Sequence, residues 1–205
     1  SSDPDEGKST VSLELAKSIS QVDKKVLYLD ADMRKSTFTE RIISSGSIKG
    51  LSHYLSSAIS IEDIIYPTQY PSLDVICSGP FPPNPVELVD SSKFRTLLAA
   101  LREVYDYIII DTTPMLAVAD ARIVGRIADL TLFVLRAGYE ERSFLPVLQR
   151  MYVERKLRNL CLILNDVEIK RGQGYGKGYG YGYGYGYGYG LEAEKKKKGF
   201  FNRKS

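Results

Sequence analysis

With 205 residues, 43% hydrophobic and 26% charged, the chain has room for one globular domain of about 150–170 residues with a sizeable core, plus a tail. A net charge of +3 is too mild for a nucleic-acid binder, and it is uneven. From Lys170 onward nine Lys/Arg face only Glu192 and Glu194, a net +7, which leaves residues 1–169 at −4.

The chain opens inside a motif, at Ser1, and so reads as a piece of a longer protein. "STVSLELAKSIS" (9–20) predicts a helix with Val11, Leu15 and Ile19 on one face. Strand character follows in "KVLYLD" (25–30), "LDVIC" (73–77), "YIIID" (107–111), "LTLFVL" (130–135) and "LCLIL" (160–164). Most of these runs are continuous rather than alternating, as in strands buried on both faces of a parallel sheet. Between them lie further helical patterns: "KFRTLLAALREV" (93–104) with Phe94, Leu97, Leu98 and Leu101 on one face, "DARIVGRIA" (120–128), and "SFLPVLQRMYVERK" (143–156). "GPFPPNP" (79–85) is a rigid loop. Strand alternates with helix, so the expected fold is α/β, a doubly wound and mostly parallel sheet. Cys77 and Cys161, both in apolar runs, read as buried thiols of a reducing compartment rather than a disulfide. No apolar run approaches the ~18–20 residues of a membrane span, and no signal peptide is visible. His53 reads as an ordinary helix residue, and Tyr28, Tyr105 and Tyr107 as core or strand residues.

From about Arg171 hydrophobic periodicity stops. "GYGKGYGYGYGYGYGYG" (174–190) spaces Tyr175, Tyr179, Tyr181, Tyr183, Tyr185, Tyr187 and Tyr189 with glycine, or with glycine around Lys177. This segment, with "EKKKKGFFNRKS" (194–205) behind it, is expected to be a disordered tail over 171–205, following a domain over 1–170.

Three motifs carry chemistry. "EGKST" (6–10) at a helix start is the end of a G-x-x-x-x-G-K-[ST] phosphate loop, with Ser2 where the first glycine belongs. Glycine lets backbone N–H groups approach phosphate oxygens, and the helix N-terminus adds its positive end. Glu6, Gly7, Lys8, Ser9 and Thr10 are the expected cradle, with Lys8 on the β/γ-phosphates and Ser9 on Mg²⁺. The strand that should lead into this loop is not in the sequence. "VLYLDADMRKS" (26–36) ends a strand with Asp30, Asp32 and Arg34, two carboxylates that can face one crevice. "YDYIIIDTTP" (105–114) ends a second strand with Asp111, the Walker B arrangement for holding Mg²⁺.

In this chain order the motifs resemble the Walker A, A′ and B motifs of the bacterial tyrosine kinases tied to capsular and exopolysaccharide export. "GLSHYL" (50–55), "SGPFPPNPVELVDSSKF" (78–94), "AVADARIVGRIADLTLFVLR" (117–136) and "LILND" (162–166) are similar to the same family, so the resemblance covers roughly residues 1–190. The family has glycine at the position of Asp5, and Asp-Thr-Pro-Pro where this chain has Asp111-Thr112-Thr113-Pro114. Its oligomerisation segment normally precedes the loop and is not in this sequence.

The resemblance implies an ATP- and Mg²⁺-dependent protein tyrosine kinase that phosphorylates its own tail tyrosines between protomers of a ring-like homo-oligomer. It also implies a membrane-spanning activator segment, fused upstream or separate, a phosphotyrosine phosphatase as a partner, and a place at the cytoplasmic face of the bacterial inner membrane. Asp32 and Asp111 would hold the metal through water. Asp30 would polarise the phenol, whose free pKa is about 10; the sequence leaves the roles of Asp30 and Asp32 exchangeable. Arg34 would neutralise developing charge or pair with a carboxylate, and Asn165 would lie near the adenine. Two other classes compete. One is a partitioning-type P-loop ATPase switch, which carries a second lysine early in its loop; residues 1–7 contain none. The other is an export scaffold that binds no nucleotide.

Overall fold

The computed structural model describes residues 1, 5–34, 48–115, 120–139 and 144–168. The tail with its seven tyrosines lies outside the described residues. So do Lys35 and Ser36 of the second motif and the start of the segment 117–136.

Helix α1 (Lys8–Ser20) leads into strand β1 (Val26–Asp30), whose five residues are all buried. A short helix α2 (Leu51–Ser56), a 3-10 turn (Glu62–Ile64), the two-residue strand β2 (Tyr66–Pro67) and strand β3 (Leu73–Ile76) follow. Helices α3 (Pro85–Asp90) and α4 (Ser92–Arg102) precede strand β4 (Tyr107–Asp111). Helix α5 (Asp120–Ile127), strand β5 (Thr131–Arg136), helix α6 (Leu145–Val153) and strand β6 (Leu160–Asn165) complete the described chain. Local chemistry sets several boundaries. Pro85 opens α3, where its missing N–H costs no hydrogen bond. Ser91 caps α4 by accepting from the Phe94 N–H at 3.2 Å.

Four strands pair in the order β2-β3-β1-β4, and β5 pairs with β6 in a second sheet. The β1–β3, β1–β4 and β5–β6 pairings are parallel, and β2–β3 is antiparallel. This is the doubly wound, mostly parallel α/β architecture that the alternating pattern predicts.

β1 is buried on both sides because each side has its own core. Val26 and Tyr28 pack with Leu13 and Ala16 of α1. Leu27 and Leu29 pack with Phe94, Leu97 and Leu101 of α4. At about 1.5–3 kcal/mol for each large apolar side chain fully buried, these two layers anchor the sheet that carries the acidic strand ends. A third core joins Phe133 and Leu135 of β5 to Leu148 and Met151 of α6.

The predicted face of α4 is buried as expected. On α1 the expectation needs correction: Leu13, Ala16 and Ser20 are its buried residues, while Val11, Leu15 and Ile19 are only half-buried. These three line a cleft of about 610 Å³, together with Ile108, Ile109 and Ile110 of β4 and Leu132 and Val134 of β5. β6 is not a fully buried strand either; Leu162 and Leu164 are more than half exposed. Cys161 on the same strand is exposed, contrary to expectation, while Cys77 is buried, and the two form no disulfide among the described residues. Tyr28 and Tyr105 are core residues, but Tyr107 is 46% exposed. His53 lies in α2, where its Nδ1 accepts from the Gly50 N–H at 3.1 Å. Among the described residues no helix is long and apolar enough to cross a membrane.

Candidate active site

The parallel register brings the two acidic motifs together. Asp30 and Asp111 are the last residues of neighbouring strands and stand directly opposite each other. The strand ends are stitched by the Ala31 N–H, which donates to the Asp111 carbonyl at 2.8 Å. Just beyond β1 the chain turns on its own carboxylates: the Asp32 N–H donates to Asp30 Oδ1, and the Arg34 N–H to Asp32 Oδ1, each at 3.0 Å. Asp30 and Asp111 are buried and Asp32 is half-buried. Three carboxylates thus gather at the carboxyl ends of β1 and β4, where open α/β sheets bind ligands.

The phosphate loop meets them from α1. Gly7 sits at φ 86° and ψ 20°, a left-handed turn, and as the N-cap residue it offers no side chain to the helix that follows. The Gly7 carbonyl accepts from the Val11 N–H at 2.9 Å, which closes the first turn. A Cβ at Gly7 would stand 2.3 Å from Asn165 Nδ2, so both backbone shape and space demand glycine. Asn165, at the end of β6, donates from Nδ2 to the Glu6 carbonyl at 3.0 Å and so pins the loop. Asp5 also has positive φ, at 65°. That conformation explains the glycine of the resembled family, and aspartate is among the few residues that tolerate it. The Arg136 guanidinium lies 3.5 Å from the Asp5 carbonyl and pairs with Asp166 at 2.9 Å.

Asp111 is held well above the ordinary carboxylate range. Burial is the main cause; hydrogen bonds from Ser9 and Tyr28 and the charge of Lys8 oppose it, while Asp32 adds to it. These contacts set Ser9 and Lys8 of the loop beside the Walker B carboxylate. Glu6 is fully buried and Thr10 exposed. Arg34 is directed elsewhere: its Nε donates to Asp120 Oδ2 at 3.3 Å, at the start of α5. The other oxygen of that buried carboxylate, Oδ1, and the buried Thr113 hydroxyl have no hydrogen-bond partner among the described residues.

The donor set fits Mg²⁺. It offers carboxylates and a hydroxyl, all hard oxygen donors. Among the described residues no group of three or more His, Cys, Asp or Glu is placed to hold a metal ion. Mg²⁺ needs no such cage, since it keeps waters and shares its shell with phosphate oxygens. The Gly7 turn, with no Cβ, at the N-terminus of α1 suits a phosphate chain.

The structure thus brings together the carboxylates, the loop and Asn165 that the sequence singled out. Sequence reasoning missed Tyr28, Asp120 and Arg136 as contributors. Tyr28 had a local signal, because two residues before Asp30 on a strand is the same face. The Asp120 and Arg136 contacts join elements distant in sequence and leave no local trace.

Comparison with known proteins agrees with this geometry. A family model described as an AAA domain matches residues 6–140. The tyrosine-protein kinase CpsD of Streptococcus agalactiae serotype III (strain NEM316) is 39% identical over 162 residues, 79% of this chain and 70% of the relative. The tyrosine-protein kinase YwqD of Bacillus subtilis (strain 168) is 36% identical over 168 residues, 82% of this chain and 70% of the relative. Among solved structures, the kinase domain of the Escherichia coli tyrosine kinase ETK matches with a TM-score of 0.76 and 36% identity, covering 88% of this chain and 70% of that one. A likeness of this depth, running from the phosphate loop through both acidic strand ends, makes the chain a member of the bacterial protein-tyrosine kinase family.

Proposed function

We propose that the chain transfers the γ-phosphoryl group of ATP to the tyrosines of its own C-terminal run, with the tail of one protomer entering the site of another. The observation that carries this reading is the meeting of Asp30, Asp32, Asp111 and the Ser9 end of the phosphate loop at one sheet edge, in a chain that also holds seven glycine-spaced tyrosines.

Lys8 and the N–H groups that open α1 bind the phosphates and stabilise charge on them. Ser9, Asp32 and Asp111 would hold Mg²⁺, which when bound would neutralise charge that builds on the phosphate oxygens. Glu6 and Thr10 complete the loop, and Asn165 sets its position next to the adenine end. Asp30 takes the proton of the incoming phenol. The phenol oxygen bonds to the γ-phosphorus as the bond from phosphorus to the β–γ bridging oxygen breaks, and ADP leaves with that electron pair. Catalysis is mostly positioning and charge stabilisation. Arg34 joins it only after leaving Asp120.

The tail suits such a site. Glycine between the phenols of Tyr175 and Tyr179 through Tyr189 leaves little side-chain bulk around each acceptor. Its +7 charge opposes the −4 of residues 1–169. About four phosphotyrosines, at roughly −1.5 to −2 each, would outweigh the tail's charge or nearly so and loosen a ring of protomers. A membrane-bound activator, a phosphotyrosine phosphatase and a role in exopolysaccharide or capsule assembly at the inner face of the membrane belong to the same reading.

Incubation with γ-labelled ATP and Mg²⁺, native chain against Lys8→Met, tests it. Label on tail tyrosines that disappears in the variant supports the kinase. Free phosphate without labelled protein would make it an ATPase switch, and no nucleotide binding at all would make it a scaffold.

A further inference from the structure

Tyr28 lies in the middle of β1 and is 1% exposed, packed among Leu13, Ala16, Leu73 and Val75. A phenylalanine would fill that apolar space equally well. The hydroxyl, however, donates to Asp111 Oδ2 at 3.1 Å. It also stands 3.4 Å from the Ser12 hydroxyl, which donates to the Ser9 carbonyl at 3.2 Å. Strand geometry makes this possible. Tyr28 pairs opposite Ile109, and Asp30 opposite Asp111, so Tyr28 reaches diagonally, two residues along, to the carboxylate of the neighbouring strand. The result is a run of polar contacts from the first turns of α1 through Ser12 and Tyr28 to Asp111, beneath the proposed metal position.

We propose that Tyr28 is a positioning residue for phosphoryl transfer. By tying one oxygen of Asp111 down into the core, it turns the other toward Ser9 and the metal-bound water. The inference rests on the reading of Asp111 as the metal-side carboxylate. A carboxylate at the end of a strand can otherwise rotate about its terminal torsion, which has a broad minimum. A fixed donor below it removes that freedom before the ion arrives. Tyr28 touches neither nucleotide nor phenol, so its effect is exerted through Asp111.

The test uses Tyr28→Phe, which keeps the ring and deletes the hydroxyl. Binding of a fluorescent ADP analogue is titrated with Mg²⁺ and separately measured in excess EDTA. The expected result is an apparent Mg²⁺ affinity about tenfold weaker, in line with loss of a hydrogen bond to a charged group, with metal-free nucleotide binding unchanged. In the Asp111→Asn background the same substitution has no further effect on Mg²⁺. A merely structural role would weaken nucleotide binding equally with and without Mg²⁺, and that result overturns the inference, as does an unchanged Mg²⁺ titration in Tyr28→Phe. Should Asp111→Asn itself leave Mg²⁺ affinity intact, the reading of Asp111 fails and the inference falls with it. Loss of Mg²⁺ affinity in Asp111→Asn alone overturns the role of Tyr28 and spares that of Asp111.

Discussion

Replacing Gly7 by alanine probes how the end of β6 holds the phosphate loop. Two costs can be separated. The residue stays at φ 86°, where a Cβ costs roughly 1–2 kcal/mol. That Cβ would also lie 2.3 Å from Asn165 Nδ2 and 3.5 Å from its Cγ, so the Asn165 side chain must swing away and give up its 3.0 Å bond to the Glu6 carbonyl, a further ~1 kcal/mol. Gly7→Ala should therefore destabilise the fold by about 2–3 kcal/mol. In an Asn165→Ala background the clash and the hydrogen bond are already gone, and Gly7→Ala should cost only the conformational ~1–2 kcal/mol. Urea unfolding of the four chains, analysed by linear extrapolation, gives the difference. The expected coupling of ~1 kcal/mol exceeds the ~0.3–0.5 kcal/mol scatter of independent sites. Equal costs in the two backgrounds would refute the proposed latch between Asn165 and the loop.

Two further substitutions follow from the same geometry. Asp5→Gly removes a side chain from φ 65° and a carboxylate from the approach of a polyanion, so it should stabilise the fold by about 0.5–1 kcal/mol and tighten ADP binding severalfold at low salt, less at high salt, as read by titration calorimetry. The Tyr105 hydroxyl donates to Asp74 Oδ2 at 2.8 Å, and burial, followed by that bond and the Asp74 charge, raises its pKa above the ordinary 10.0. The folded state therefore holds this proton longer than the unfolded chain, so the stabilisation is complete below pH 10 and is lost as pH rises through the folded value. Tyr105→Phe should cost about 1 kcal/mol at neutral pH, and chemical unfolding at a series of pH values should find the deficit shrinking above pH 10.

The parts of this architecture legible in the sequence are those governed by local pattern. β4 begins and ends where the run "YIIID" does, because an apolar run closed by aspartate marks the strand and its polar exit, although Tyr107 is exposed and Ile108, Ile109 and Ile110 are only half-buried. The pairing of Asp30 with Asp111 was readable as two acidic strand ends, although only the parallel register puts them opposite each other. What escaped was set by neighbours distant in sequence. Leu162 and Leu164 look like core residues, yet they sit on a strand that pairs only with β5 among the described residues, and they stay exposed. Arg34 carries no mark of its partner, since Asp120 lies 86 positions away. Tyr28 reads as bulk in an apolar run, and only its place two residues before Asp30, on the same strand face, marks its hydroxyl.

The half-buried stripe of α1 connects these points. Val11, Leu15 and Ile19 recur at helical spacing, which implies an apolar surface to cover them, yet they line a cleft whose walls are β4 and β5. β4 bonds to β1 on one side only and β5 to β6 on one side only, so each wall is a strand edge without a ladder partner among the described residues. The Ser1 carbonyl accepts from the Met115 N–H at 2.8 Å, just past β4. Lys8 and Asp111 stand at one end of this cleft. The apolar stripe of α1 and the edge of β4 thus share one cleft with Lys8 and Asp111, so what packs Val11, Leu15 and Ile19 also bears on the start of α1 and the end of β4, where those two residues stand.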